Sequence, residues 1–168
     1  AAQLSRDPQD ERMAGWMKNF ENQRQEFTAE RHKQFDKALR KAKLLISTGK
    51  GDYALDWTSA SYLLSDDKKA FRNEPWVDEL IKKTAANADD YEKGEHWLKA
   101  LRLYSDLGSL EPAAPIWKEK LKLATRRVRL LALYTPSALK DLQKSESKDG
   151  EEVEQILKDF EKAENPAA

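Results

Sequence analysis

Cysteine is absent from this 168-residue chain. No disulfide framework, thiol nucleophile or Cys-ligated metal centre can therefore be built. Net charge is absent too, because thirty Lys and Arg balance thirty Asp and Glu. That balance argues against a general nucleic-acid binder, which normally carries a basic domain. Long apolar runs are also missing. The longest uncharged stretch, Leu130 to Leu139, has ten residues, well short of the roughly 20 that a membrane-spanning helix needs. The opening residues, Ala1-Ala2-Gln3-Leu4-Ser5, begin no apolar run of the signal-peptide kind. An Ala-rich start fits a mature end left by cleavage and a plain boundary equally well. Glycine and proline are few, six of each, and histidine appears twice.

What is present is charge and helix-forming pattern. Charged residues make up 36% and the hydrophobic set 39% of the chain, with five each of Trp, Tyr and Phe. So many aromatics argue against a disordered chain. The mixture suits a helical domain with one modest core and much wet surface. Charge is unevenly placed. Trp117 to Lys140 carries seven cations against one anion, whereas Asp141 to Ala168 carries nine anions against four cations.

Three- and four-residue apolar spacing dominates throughout. The first segment opens at Asp7-Pro8, a cap followed by a proline suited to a first helical turn. It runs through Met13, Trp16, Met17, Phe20, Phe27, Phe35, Ala38, Ala42, Leu45 and Ile46 to Gly49. A helix that long either breaks once, with Thr28 as the expected place, or projects beyond its domain. A second helix is expected from Asp52 to Leu64, a turn over Ser65 to Phe71, and a helix from Pro75 to Gly94. Another spans Glu95 to Leu107 and ends at Gly108. The basic helix runs from Pro115 to Pro136, a short one reaches about Lys144, and Ser145 to Gly150 reads as a polar break. The last, Glu151 to Lys162, has the narrow apolar stripe Val153, Ile156, Leu157 and Phe160. No window alternates with period two long enough to make a strand. The expected fold class is all-α.

Helix pairs invite a search for repeats. Ala88, Tyr91, Ala100, Tyr104, Leu107 and Pro112 fall at relative offsets 0, 3, 12, 16, 19 and 24. This pattern resembles the tetratricopeptide (TPR) signature. Its small residues let two helices of a hairpin approach closely, its aromatics fill the gap, and its proline ends the second helix. Upstream, Ala42, Leu45, Gly49 and Ala54 repeat the first four offsets, while Thr58 and Asp66 depart from the pattern. The two units lie 46 residues apart, so the 34-residue TPR period requires an insertion, placed around Ser65 to Trp76. The resemblance implies a TPR-like stack of antiparallel helix pairs with a long N-terminal helix and a C-terminal capping helix. Residues 1–35 form a helical extension, 36–140 the helical domain, and 141–168 an acidic C-terminal helix and tail.

The resemblance also implies a role. TPR-like stacks bind a protein or peptide partner in a groove lined by the first helix of each pair. Transferred here, that groove comprises Leu39, Lys43 and Ile46 in the first unit and Ala85, Asp89 and Glu92 in the second. A narrower likeness concerns Trp97 to Leu107 followed by Ala124 to Tyr134. These runs are similar to the region preceding the catalytic part of some large bacterial carboxyl-terminal processing (tail-specific) serine peptidases. That likeness implies an accessory domain of a larger, periplasmic or otherwise exported protein; without it the expectation is cytoplasmic. The PDZ domain and Ser–Lys pair of that family have no counterpart here, so no catalytic residue carries over.

Site chemistry is thin elsewhere. His32 lies in the charged run Glu30-Arg31-His32-Lys33 and His96 beside a helix start, which supplies no set of three or four converging metal ligands. No Gly-x-Ser-x-Gly elbow and no phosphate loop is present. No enzyme, cofactor, nucleic acid or membrane span is expected. Two polar or apolar features remain. Lys122, Arg126 and Arg129 share one helix face and could receive an acidic or phosphorylated partner through forked Arg donors. The other reading is a solvated face partly neutralised by the acidic tail. Met13, Trp16, Met17, Phe20 and Phe27 form a stripe that either folds back on the domain or pairs with a second chain as a homodimer. The five tryptophans otherwise read as packing residues.

Overall fold

The computed structural model describes residues 8–166, and every regular element in them is an α-helix. The order is α1 (Pro8–Ser47), α2 (Gly51–Leu64), α3 (Lys68–Arg72), α4 (Pro75–Lys93), α5 (Trp97–Leu110), α6 (Pro115–Tyr134) and α7 (Pro136–Glu164). Asp7, expected to cap α1, lies outside the described residues. Packing is strongest between α1 and α2, α5 and α6, and α4 and α5, with α2 also against α4 and α5. One core results. Leu45, Ala54, Leu55, Val77, Leu80, Ile81, Ala88, Ala100, Leu103, Tyr104, Leu107, Leu110, Ala124 and Val153 fill it. Four of the tryptophans, at positions 57, 76, 97 and 117, pack against it half-buried.

α1 does not break at Thr28. It is one helix of 40 residues, about 60 Å long at the usual rise. The Thr28 hydroxyl donates to the Arg24 carbonyl at 2.9 Å, a back-bond that a helix interior accommodates. Its C-terminal end is closed by glycine chemistry. Gly49 adopts φ 76°, Lys50 N–H donates to Leu45 O at 2.8 Å and Gly49 N–H to Ile46 O at 3.2 Å, the Schellman pattern. The end of α4 uses the same pattern one residue later than expected. Glu95, not Gly94, takes the positive φ of 60°, and His96 N–H donates to Tyr91 O at 2.8 Å.

Three other boundaries differ from sequence expectation. Residues 68–72 form the short helix α3, capped by Asp67 Oδ1 accepting from Ala70 N–H at 2.9 Å. This helix carries Phe71 into the core, where it meets Phe35, Tyr62 and Trp76. α5 continues through Gly108 to Leu110, because Leu110 is fully buried and Glu111 accepts from Trp117 Nε1–H at 2.7 Å. Pro112 follows immediately and stops it.

The largest correction concerns Ser145 to Gly150, which is helix rather than break, so α7 runs uninterrupted for 29 residues. The polar residues there face cations of the domain rather than water alone. Asp149 pairs with Lys99 at 2.7 Å and Glu146 with Arg102 at 3.5 Å. Further along, Glu152 meets Lys50, Glu161 meets Lys41 and Lys37, and Glu164 meets Arg40. Val153 is buried, Ile156 and Leu157 pack against the core, and Phe160 is half-buried. The acidic segment is therefore neutralised by α1, Lys50 and α5, and not by the basic helix α6 as its place in the sequence suggested.

Candidate interaction surfaces

The first half of α1 leaves the domain. Every residue from 9 to 27 is exposed, including Met13 at 62%, Trp16 at 66%, Met17 at 59%, Phe20 at 55% and Phe27 at 69%. Trp16 and Phe20 stack on each other, with ring centroids 5.7 Å apart. The stripe is not a random set of apolar residues. Steps of three and four carry one row along the helix from Met13 through Met17, Phe20, Arg24, Phe27, Arg31, Phe35, Ala38 and Ala42 to Leu45. Its later members Ala38, Ala42 and Leu45 are buried. The face that α1 buries in the domain thus continues outward as an apolar face that no other described element covers. α2 covers this face from the Gly49 turn to its far end, where Asp66 meets Arg31 and also His32, at 2.6 Å. Those contacts fix the root of the arm and place His32 in a surface hydrogen bond.

The groove residues transferred from the repeat have mixed surroundings. Lys43 and Ile46 are exposed on α1, with the Lys43 ammonium 5.8 Å from the Trp76 ring. Leu39 and Ala85 pack against the core. Asp89 and Glu92 are already engaged. Glu92 accepts from Tyr104 Oη–H at 2.6 Å and from the Lys120 ammonium at 2.9 Å, and Asp89 lies 3.6 Å from the same ammonium. Burial pushes the Glu92 carboxyl up, but Lys120 and Tyr104 outweigh it and hold the group below its ordinary range. Burial first, and then Glu92, push the Tyr104 hydroxyl far up, so it stays a donor.

On α6, Lys120 faces inward, and Arg127 lies with its guanidinium 5.6 Å from the Trp97 ring. Lys122, Arg126 and Arg129 are exposed and meet no carboxylate among the described residues. A groove of about 460 Å³ opens beside this helix, lined by Trp97, Arg127, Leu130, Leu131, Tyr134 and Ala138.

Sequence reasoning missed the polar cluster at the junction of α2, α5 and α7. Arg102 lies over the Tyr53 ring at 3.9 Å, 3.4 Å from Asp56 and 3.5 Å from Glu146. Asp106 Oδ2 and Glu146 Oε1 are buried there without a hydrogen-bond partner. Burial, and then the neighbouring Asp56, push the Asp106 carboxyl up to about 9. Buried carboxylates with shifted titration also occur at active sites, but this cluster is partly open, with Asp56 40% exposed, and is engaged in its own ion pairs, while its neighbouring crevice of about 200 Å³ is lined by Asp52, Asn87 and Tyr91, the last two both donating to Asp52. Nothing in the sequence marks it, because its members come from positions 53 to 146 and meet only through tertiary packing. Among the described residues no group of three or more His, Asp and Glu is placed to hold a metal ion, and no helix is long and apolar enough to cross a membrane. Comparison with family models, curated proteins and solved structures gives no match.

Proposed function

We propose that this chain is a non-catalytic helical scaffold that binds a protein or peptide, with the projecting half of α1 as its binding element. One observation carries the reading: the core-facing row of α1 continues onto an arm where five large apolar side chains lie exposed on one side, uncovered by any other described element. Exposed apolar patches of this size mark interaction sites on soluble proteins. The arm is about 35 Å of helix, from Pro8 to Glu30, at the usual rise. Helix nucleation there is already met by the docked half, so the arm needs only propagation. A preformed helix with its anchors in one row suits helix-to-helix docking.

The TPR-like arrangement is the scaffold half of the proposal. Its support is the full burial of Ala42, Ala54, Ala88 and Ala100, the small positions where that signature brings helices together. The transferred groove is the weaker binding element, because Asp89 and Glu92 are held by Lys120 and Tyr104. An accessory role in a larger bacterial protein rests only on the peptidase likeness of Trp97 to Leu107 and Ala124 to Tyr134.

Retention on immobilised amphipathic helical peptides, one of them residues 8–33 of this chain, tests the reading. The expected result is retention that disappears when Trp16→Ser and Phe20→Ser are combined, with the thermal midpoint unchanged because neither side chain touches the domain. Retention indifferent to those two substitutions, or none on any peptide, would overturn it.

A further inference from the structure

Resting on that reading of the arm, we infer that its occupant is the arm of a second copy, laid antiparallel about a two-fold axis at Phe20. Met13, Phe20 and Phe27 recur at intervals of seven, the spacing that keeps one seam facing a partner helix. A two-fold axis at Phe20 sets residue i opposite residue 40 − i, with the counts taken from the sequence. Met13 then faces the partner's Phe27, and Phe20 faces its own equivalent. Trp16 faces the partner's Arg24, a pairing suited to a cation over an indole ring.

Charge supports a second copy over a charged partner. Residues 8–33 hold five cations, Arg12, Lys18, Arg24, Arg31 and Lys33, and five anions, Asp10, Glu11, Glu21, Glu26 and Glu30. The arm has no net charge with which to attract an acidic or basic peptide, but its pattern complements itself. In the antiparallel register Asp10 falls level with the partner's Glu30 and one residue from the partner's Arg31, which lies on the same row as Phe27 and so faces the seam. Arg12 falls opposite the turn that carries the partner's Glu26 and the partner's Glu30. By symmetry each pairing occurs twice.

Area agrees with a reversible dimer. With the exposures given above, the five side chains present roughly 600 Å² per copy, about 1,200 Å² for two, at the lower edge of specific interfaces. Interfaces of that size often dissociate in the micromolar range. The antiparallel arrangement also places the two domains at opposite ends, where they do not collide.

The natural absence of cysteine makes the register directly testable. The unmodified chain, 19.3 kDa, is expected to rise toward twice that mass in sedimentation between about 1 and 100 µM. Trp16→Ser with Phe20→Ser should weaken the dimer about a hundredfold. Under mild oxidation Phe20→Cys should form a disulfide with its own equivalent. Met13→Cys alone should not, yet it should cross-link when mixed with Phe27→Cys. A monomer throughout the concentration series overturns the inference, and arm-dependent peptide retention would then still stand for the broader reading. Self-cross-linking of Met13→Cys and Phe27→Cys as readily as Phe20→Cys shows a parallel pair and overturns it equally.

Discussion

Ala100→Arg is expected to unfold the domain or to lower its stability by about 4 kcal/mol or more. Ala100 has no solvent exposure and lies in the core with Leu103, Tyr104 and Leu107 of its own helix and Ala88 of α4. An arginine there must either displace packed side chains or bury a guanidinium. Small domains are stable by only about 5–15 kcal/mol, so such a loss removes most of the margin. Thermal unfolding followed by circular dichroism reads it. A midpoint within a degree or two of the parent would show that Ala100 is not a point of close helix approach.

The second large effect lies in the cluster around Arg102, where two substitutions should act in opposite directions. Arg102→Met removes the cation shared by Asp56 and Glu146. Arg102 and Glu146 are 22% and 20% exposed and Asp56 40%, so the loss should fall below the about 3–5 kcal/mol typical of breaking a fully buried ion pair, because water screens part of the charge left behind. Asp106→Asn should instead stabilise the protein at neutral and alkaline pH. The folded state holds the Asp106 proton up to about 9, against an ordinary value of 3.8. Folding therefore takes up a proton across that interval. The contribution of Asp106 to stability is complete below the ordinary carboxylate range and is lost progressively as pH rises toward 9. Asparagine keeps the shape and the donor while removing the titration. Denaturant midpoints for parent and variant should accordingly coincide near pH 4 and separate as pH rises, with the variant higher. The opposite separation would mean that Asp106 is ionised in the folded protein.

Much of the architecture was legible because it rests on short-range pattern. The spacing of Ala88, Tyr91, Ala100, Tyr104 and Leu107 foretold a buried helix contact. Gly49 foretold a left-handed helix end, and the length of the first apolar row left open the projection that α1 shows. What misled was local punctuation overruled by distant partners. Ser145 to Gly150 looks like a break until Lys99 and Arg102 of α5 are placed opposite Asp149 and Glu146. Gly108 looks like a stop until Leu110 is seen to be needed in the core. Thr28 looks like a hinge, but its hydroxyl has a backbone acceptor within its own helix. For the candidate surfaces the same limit applied. The stripe from Met13 to Phe27 was visible as a pattern, whereas the engagement of Asp89 and Glu92 by Lys120 depends on the packing of both α4 and α6 against α5. The pairing of the acidic segment with α1 and α5, rather than with the basic helix beside it in sequence, likewise follows from where α7 lies.

Amide hydrogen exchange across α1, measured on dilute and on concentrated protein, tests most directly whether the arm is a surface that docks on another helix. In dilute solution residues 9 to 27, all exposed, should exchange far faster than the buried turns around Ala42 and Leu45. At high concentration, or with the 8–33 peptide added, protection should rise at Met13 to Phe27 and stay unchanged from Phe35 onward. An arm as protected as the core at every concentration, or equally unprotected with and without the peptide, would contradict it.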